Sequence, residues 1–202
     1  MNQNKLIETI KIENGEISNI KWHNLRFNRT RKELFGIDNS IDLEDFIKIP
    51  INKGLFCCRI LYNREIVSIE STPYKAKLFK TFKIVESDIE YMYKYENRMS
   101  IEKLKAEAFP YNEIIMKKEG LLTDTSIANI AFYNGEEWIT PKKPLLKGTM
   151  RANLLESNQL IEKDIKEEEL NSFSHFALMN AMIGFQIQKN IIIQSQKEKL
   201  CL

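Results

Sequence analysis

The amino-acid sequence predicts an α+β fold made of two lobes. Two Asn-Gly pairs, at residues 14–15 and 134–135, each follow a strand-like run and indicate tight hairpins. Runs rich in β-branched and aromatic residues predict strands, and amphipathic runs predict helices between them. Residues 86–98 have no clean period and carry four acidic residues, which is typical of a connection. The predicted lobes are residues 1–85, a small α+β lobe, and residues 86–202, a larger one.

The first lobe is predicted to open with a hairpin and a helix. Leu6 to Ile12 mostly alternates apolar and polar residues, and Ile17 to Trp22 is predicted as the returning strand. His23 to Phe35 has an amphipathic pattern with a basic polar side, which predicts a helix that Gly36 ends. The remaining predicted elements are a helix at 43–47 and strands at 55–62, 66–71 and 78–85.

The second lobe is predicted to begin with a helix after the connection. Ser100 is the predicted N-cap of this helix, and Pro110 closes it because proline cannot continue a helix. Gly148-Thr149 precedes a second predicted helix, which runs to about residue 157. The other predicted elements are strands at 113–118, 126–133, 138–140 and 161–165, a short acidic helix at 167–171, and a strand-rich segment at 176–193.

Composition excludes several classes of function. With 43% apolar and 29% charged residues, the 202-residue chain has the balance of an ordinary globular protein. Thirty basic and 28 acidic residues are interspersed and give a net charge of +2, so no nucleic-acid partner is predicted. Three cysteines and two histidines form no disulfide framework and no metal site. No signal peptide or membrane span is evident, and we expect a soluble, cytoplasmic protein with no membrane partner.

Polar residues in the predicted turns of the second lobe follow a recognisable order. No Gly-rich nucleotide loop and no HExxH motif occurs. The ordered residues are Gly120, Asp124, Asn129, Thr140-Pro141, Leu146, Gly148 and Arg151. Together they resemble the signature of the class IV aminotransferase and aminodeoxychorismate lyase family: an acidic residue five positions before an Asn, a Thr-Pro, and Leu-x-Gly with an Arg three residues later.

Three further segments extend the resemblance from the first hairpin to residue 184. Lys94 to Arg98 is similar to the family's Lys-x-x-Asn-Arg segment, which carries the Schiff-base lysine. His23 to Arg26 resembles a His-x-x-Arg whose arginine meets the cofactor phosphate, and Asn180 to Gly184 resembles the final turn on the phosphate side. Glu113 matches the acidic residue before the next strand.

The resemblance implies a fold-type IV enzyme that uses pyridoxal 5′-phosphate (PLP). Such an enzyme has a small α+β lobe, a larger lobe with a β-barrel-like sheet, the cofactor between them, and usually a homodimeric assembly. Lys94 would be the catalytic residue, and Asp124 would hold the proton on the pyridine nitrogen. The family usually has Glu at the position of Asp124. The other implied cofactor-binding residues are Arg26, Asn129, Gly148, Thr149 and Asn180.

Two arginines are candidates for the small-molecule substrate. Arg59 and Arg98 are assigned to substrate carboxylates on charge and location alone. Arg98 is also close to Lys94 in the chain, and a neighbouring cation favours the neutral amine that the lysine needs.

Each candidate also has a simpler role when it is taken alone. Lys94 fits a solvated lysine in a charged connection, and Asp124 fits the cap of a turn. Arg26 fits the basic face of a helix, Asn180 fits the end of a strand, and His23 fits a structural hydrogen-bonding residue. Their shared order along the chain is what favours the cofactor site.

The predicted reaction rests on two short segments. Asn180-Ala181-Met182 resembles the lyase turn, whereas branched-chain transaminases tend to have Gly-Thr-Ala there, and the Asn-Arg after Lys94 also favours the lyase. The leading hypothesis is therefore the conversion of 4-amino-4-deoxychorismate to 4-aminobenzoate and pyruvate in folate biosynthesis. The alternatives are a class IV transaminase of the branched-chain or D-amino acid type, and a non-catalytic member of the family.

Overall fold

The computed structural model describes residues 5–195 and 199–201. These residues form two compact units, each with its own sheet and core. The first unit comprises residues 5–76 with Tyr93–Asn97, and the second comprises Lys77–Met92 with residues 98–195 and 199–201. The predicted α+β class is confirmed, because few helices accompany two large sheets.

The first unit is built on a four-stranded antiparallel sheet of order β2-β1-β3-β4. The helices are α1 (Ile20–Phe35) and a short 3-10 helix (Leu43–Phe46). The strands are β1 (Leu6–Glu13), β2 (Glu16–Ile17), β3 (Leu55–Tyr62) and β4 (Ile66–Pro73). Alternation along β1 and β3 turns one apolar face towards α1. The core comprises Leu6, Ile10, Ile12, Phe27, Leu43, Ile47, Cys58, Ile60 and Tyr62.

The start of α1 corrects one prediction. The predicted hairpin turn at Asn14-Gly15 is present, with φ of 53° and 92°. The returning strand, however, ends at Ile17, and Asn19 adopts a left-handed conformation (φ 60°) that turns the chain into helix at Ile20. The prediction of a strand over residues 17–22 was therefore wrong beyond its first residue. Gly36 ends α1 as predicted, with φ 68°.

In the part of the chain that the structure describes, the second unit contains two α-helices, one 3-10 helix and ten strands. The helices are α2 (Met99–Glu107), α3 (Thr149–Glu156) and a 3-10 helix (Glu167–Ser172). The strands are β5 (Thr81–Glu86), β6 (Glu113–Lys118), β7 (Leu121–Thr125), β8 (Asn129–Tyr133), β9 (Trp138–Pro141), β10 (Ile161–Lys163), β11 (His175–Asn180), β12 (Gly184–Gln188), β13 (Ile192–Gln194) and β14 (Lys199–Cys201).

The sheet of the second unit forks at β8. One edge of β8 pairs with β11, which pairs with β12, while the other edge pairs with β7 at Asn129 and with β9 at Phe132 and Tyr133. The main path continues from β7 through β6, β5 and β13 to β14. Among the strands that the structure describes, these pairings do not close into a ring, so the predicted barrel-like sheet is an open, forked one.

Two boundaries differ from the sequence prediction. Residues 77–85 lie in the second unit because β5 pairs in parallel with β6 and β13. Residues 93–97 lie in the first unit because Tyr95 bridges to Leu6 in β1.

Two element predictions were also wrong in detail. The predicted strand at 126–133 begins only at Asn129, because residues 126–128 form a turn after β7, a strand that the sequence pattern did not reveal. Helix α2 begins at Met99 with Arg98 as its N-cap, so the predicted cap at Ser100 lies inside the helix. In the described part of the chain, no helix is both long enough and apolar enough to span a membrane.

Candidate functional site

Lys94 lies in a segment that is fixed by backbone hydrogen bonds. Ile7 N–H in β1 donates to the Lys94 carbonyl at 2.9 Å, and Glu96 N–H donates to the Lys5 carbonyl at 2.8 Å. Tyr95 N–H also donates to the Tyr93 carbonyl at 2.8 Å, which tightens the chain around Lys94. The position of this half-buried lysine is therefore set by main-chain groups of the first unit.

A buried cluster of three charged or titratable side chains lies beside this segment, and we call it the Glu8 cluster. Arg26 donates from Nε to Glu8 Oε1 at 2.8 Å and from Nη2 to Glu8 Oε2 at 2.6 Å. His23 Nδ1 is 2.6 Å from Glu8 Oε2. His23 and Arg26 are three residues apart on α1 and so share one face of the helix. Glu8 and His23 are fully buried, and Arg26 is 7% exposed.

The charges in the Glu8 cluster are set by burial and by the neighbouring cations. Burial alone would raise the pKa of Glu8, but Arg26, its hydrogen bonds and His23 together lower that pKa to about 2. Burial lowers the pKa of His23 despite its bond to Glu8, and the charges of Arg26 and Lys94 lower it further. At neutral pH, Glu8 is thus ionised and His23 is neutral, with its Nδ1 proton donated to Glu8. Because the charge of Lys94 contributes to the lowered pKa of His23, Lys94 and the Glu8 cluster are electrostatically coupled.

Arg26 is therefore committed to Glu8 through two of its three nitrogens. The predicted contact between Arg26 and a phosphate stays a prediction. Because Nε and Nη2 bind Glu8, that contact would be made by Nη1. The sequence reasoning missed Glu8 itself. A signal for it exists, because Glu8 occupies an inward position of an alternating strand whose other inward residues are Leu6, Ile10 and Ile12. A carboxylate on an apolar face needs a partner, and the arginine of the next helix provides one.

The second unit holds a separate group around Asp124, which we call the Asp124 cluster. Asn129 Nδ2 donates to Asp124 Oδ1 and to the Leu146 carbonyl, both at 2.7 Å, and Leu146 N–H donates to Asp124 Oδ2 at 2.8 Å. Asp124 and Asn129 face each other across β7 and β8. Gly148 is required by this packing, since a Cβ at that position would lie 2.0 Å from Asn129 Oδ1. The predicted residues Asp124, Asn129 and Gly148 are thus brought together.

Asp124 is a buried carboxylate with no paired cation among the residues that the structure describes. Its side chain is almost completely buried, and burial raises its pKa to about 7, although bonds from Asn129 and Leu146 and the charge of Arg151 act in the opposite direction. Arg151 Nη2 instead pairs with Glu162 at 2.6 Å and donates to the Pro141 carbonyl at 2.8 Å. Within residues 5–195 and 199–201, no cation forms an ion pair with Asp124. A positively charged group placed beside Asp124 would lower that pKa and favour the ionised carboxylate.

Two other predicted phosphate residues have different surroundings. Thr149 is buried at the first position of α3. Asn180 Oδ1 accepts hydrogen bonds from the N–H groups of Met182 and Ile183, at 2.9 and 3.0 Å, and its Nδ2 donates to the Ile127 carbonyl at 3.2 Å. Asn180 thus stabilises the turn at residues 180–183 and also supports the turn between β7 and β8 through Ile127.

The two arginines predicted for substrate carboxylates both have acidic partners. Arg59, on β3, pairs through Nη2 with Glu96 at 3.2 Å, two residues after Lys94. Arg98 pairs through Nη2 with Glu102 at 3.2 Å and donates to the Ser126 carbonyl at 2.5 Å. The structure thus divides the predicted residues between the units. The first unit holds Lys94, Arg26 and Arg59, and the second holds Asp124, Asn129, Gly148, Thr149, Asn180 and Arg98.

Comparison with known proteins decides the family. The family model for class IV aminotransferases matches residues 5–191. The chain belongs to the class IV aminotransferase family. It is 38% identical over 184 residues to an uncharacterized protein of Haemophilus influenzae. The aligned region covers 89% of this chain and 98% of that protein.

Solved structures extend the comparison of this class IV chain. A crystal structure of a candidate 4-amino-4-deoxychorismate lyase from Haemophilus somnus 129PT is 36% identical, with a TM-score of 0.83 and coverage of 91% of this chain and 99% of that one. A hypothetical aminotransferase from Mycobacterium tuberculosis in its PLP-bound form is 12% identical, with a TM-score of 0.77, and covers 96% of this chain and 82% of its own. The second likeness shows the fold alone.

Class IV aminotransferases generally use PLP, and the residues of this chain fit that cofactor. The Asp124 cluster offers a buried carboxylate to which none of the described residues pairs a cation, and this suits a protonated pyridine nitrogen. Lys94 lies beside a buried group whose histidine is neutral and whose arginine is already paired. The start of α3 directly follows Gly148 and supplies N–H groups of the kind that bind phosphate.

Proposed function

We propose that the chain is a PLP-dependent lyase that converts 4-amino-4-deoxychorismate into 4-aminobenzoate and pyruvate. The observation that carries the proposal is Asp124, a buried carboxylate held by neutral donors, with no cation paired to it among the described residues. A protonated pyridine nitrogen would provide the positive charge. The 36% identity to the candidate lyase of H. somnus supports the choice of reaction.

The residues of the chain have separate tasks in this proposal. Bound PLP would supply an electron sink for the carbon atom that loses a proton. Asp124 keeps a proton on the ring nitrogen, and Lys94 Nζ is the point of covalent attachment. Once the substrate amine has taken its place on the cofactor, the amine of Lys94 would accept the proton from C4 of the substrate. Cleavage of the bond from C3 to the enolpyruvyl oxygen would leave an aromatic ring, and the departing enolpyruvate would take up a proton to become pyruvate. Lys94 would then displace the amine of 4-aminobenzoate and release it.

Phosphate binding is assigned to two groups of donors. Thr149 and the first N–H groups of α3 offer uncharged donors at the positive end of a helix dipole. Arg26 offers a cation, although Glu8 already holds two of its nitrogens. Because Glu8 neutralises much of that charge, the helix start has the larger share of phosphate binding in this proposal.

The cofactor assignment is tested by reducing the purified protein with borohydride after incubation with PLP. Mass spectrometry should then find the pyridoxyl group on the peptide that contains Lys94. Lys94→Gln should lose the adduct, whereas Lys103→Gln should keep it, because the side chain of Lys103 is 80% exposed on the neighbouring helix α2. An adduct on another lysine, or none at all, would refute the role of Lys94.

The reaction is tested on the same preparation with two substrates. Release of 4-aminobenzoate and pyruvate from 4-amino-4-deoxychorismate supports the lyase. Consumption of an amino acid together with a keto acid, without 4-aminobenzoate, identifies a class IV transaminase of the branched-chain or D-amino acid type. Failure of both reactions, with no adduct, identifies a non-catalytic member. Light scattering on this sample tests the predicted homodimer.

A further inference from the structure

The turn that joins β7 to β8 is held by side chains from other elements, and we call residues 125–128 the Ser126 turn. It connects Asp124 to Asn129. Within the turn, Thr125 N–H donates to the Ala128 carbonyl at 2.9 Å. Any change in the shape of the Ser126 turn changes how the amide of Asn129 meets the carboxylate of Asp124, because each residue directly borders the turn.

Glu113, at the start of β6, is the first support of this turn. Its side chain is fully buried, and its Oε1 accepts from Ser126 N–H at 3.2 Å and from Ile114 N–H at 2.9 Å. Its Oε2 pairs with Lys105 Nζ of α2 at 2.7 Å, and the same Nζ is 3.5 Å from Ser126 Oγ. A buried, fully bonded carboxylate thus fixes the N–H side of Ser126.

Arg98 is the second support, and it acts on the carbonyl side of Ser126. Its Nη2 donates to the Ser126 carbonyl at 2.5 Å, and a hydrogen bond from a guanidinium is stronger than one from a neutral donor. Its pairing with Glu102 at 3.2 Å involves a carboxylate that is 60% exposed, so that contact contributes little. Asn180 completes the support by donating to the Ile127 carbonyl at 3.2 Å.

We propose that Arg98 is a positioning residue, which holds the Ser126 turn and thereby sets the hydrogen bond between Asn129 and Asp124. This role replaces the substrate contact predicted from its charge. The catalytic consequence rests on the proposed function, in which Asp124 faces the ring nitrogen of PLP. Arg98 itself touches neither substrate nor cofactor in this proposal.

The proposal has a consequence that can be measured without cofactor. If Arg98 no longer holds the Ser126 turn, Asn129 loses its fixed position and water reaches the carboxyl group of Asp124. Alongside burial, the groups that act on Asp124 are the side chain of Asn129, the backbone donors of Leu145 and Leu146, and the charge of Arg151 on α3. Loss of the Asn129 bond alone would raise the pKa of Asp124, but water would replace that bond, and burial is the largest cause of the raised pKa. Greater hydration should therefore lower the pKa of Asp124 from about 7 towards its ordinary value of 3.8.

The decisive experiment is a carboxyl ¹³C NMR titration of cofactor-free protein labelled at aspartate, with the Asp124 signal assigned by Asp124→Asn. Arg98→Met should lower the midpoint of the Asp124 signal by about one pH unit. Arg98→Lys keeps one charged donor and should give an intermediate midpoint. Lys103→Met is the matched control, because it removes an exposed cation from the same helix and from a similar i,i+4 pair, and its midpoint should equal that of the wild type.

An unchanged midpoint in folded Arg98→Met would overturn the proposal. If Arg98→Met does not fold, Arg98→Lys decides instead, since a wild-type midpoint in that variant would equally overturn it. PLP titration separates this outcome from the proposed function. Arg98→Met should bind PLP about tenfold more weakly while the adduct still maps to Lys94. If the wild type binds no PLP, the proposed function fails, yet the NMR midpoints still decide the role of Arg98.

Discussion

Arg26 and Glu8 form a bidentate ion pair inside the first unit, with Nε 2.8 Å from Oε1 and Nη2 2.6 Å from Oε2. The pair joins α1 to the inward face of β1, and His23 adds a third bond to the same carboxylate. Because both charged groups are buried, each depends on the other to offset its loss of hydration. The pair thus links the stability of the first unit to the surroundings of Lys94.

Glu8→Gln should destabilise the protein strongly. The substitution leaves the guanidinium of Arg26 buried without a counter-charge, which typically costs about 3–5 kcal/mol. Urea denaturation followed by circular dichroism measures the loss of unfolding free energy. Glu13→Gln is the matched control, since Glu13 pairs with Lys11 on the same strand but is half exposed, and it should cost no more than about 1 kcal/mol. Equal effects of the two substitutions would contradict a special role for the buried pair.

Acid should weaken the wild type through the same carboxylate. The pKa of Glu8 is about 2 in the folded protein, against an ordinary value of 4.5. A lowered pKa stabilises the fold fully above 4.5, and this contribution is lost as the pH falls from 4.5 through about 2. Unfolding free energies measured between pH 6 and pH 2 should therefore fall less steeply in Glu8→Gln than in the wild type. Parallel curves would show that Glu8 does not titrate in this way.

Asp124→Asn should have the opposite pH dependence. The pKa of Asp124 is raised from 3.8 to about 7, so the cofactor-free wild type loses stability as the pH rises through this interval. The asparagine variant has no such loss. The stability of the variant relative to the wild type should therefore be higher at pH 8 than at pH 4. Thermal denaturation at both values measures the difference. Asp164→Asn, an exposed position of the same unit, should follow the wild-type profile.

Gly148→Ala should disrupt the Asp124 cluster by steric overlap. The backbone of Gly148 has φ −69°, which alanine adopts without strain, but the new Cβ would lie 2.0 Å from Asn129 Oδ1. Moving the amide would break its bonds to Asp124 and Leu146, so we expect a loss of about 2–3 kcal/mol. In an Asn129→Ala background the overlap is absent, and the same substitution should cost less than about 0.5 kcal/mol. A cost that persists in that background would assign the effect to another contact.

Much of the fold follows from local chemistry that the sequence displays. Asn14-Gly15 formed its predicted turn because both residues tolerate positive φ, and Gly36 ended α1 for the same reason. Strand β3 matched its predicted bounds because it is a continuous run of mainly apolar residues that ends at Tyr62. Asp124, Asn129 and Gly148 were predicted as parts of one site, and the side chain of Asn129 lies against both of the other two residues.

The remaining features depend on partners that are distant in sequence. Strand β7 was missed because LLTDT shows no alternation, and its pairing with β6 decides its structure. The partner of Arg26 lies 18 residues away, and the role of Arg98 depends on a carbonyl group 28 residues away. Charge alone therefore suggested a substrate contact for Arg98, whereas tertiary packing directs it to a turn.

The segment that presents Lys94 also protects a sheet edge. One edge of β1 pairs with β3 along its whole length, while the other pairs with β2 only at Ile12 and Glu13. The backbone of residues 93–96 covers the opposite end of that edge, at residues 5–7. An uncovered edge of this kind is a template for pairing with another chain. Substitutions that displace residues 93–96 from the edge of β1 should therefore promote aggregation. A loss of solubility would then indicate that these residues no longer cover the edge.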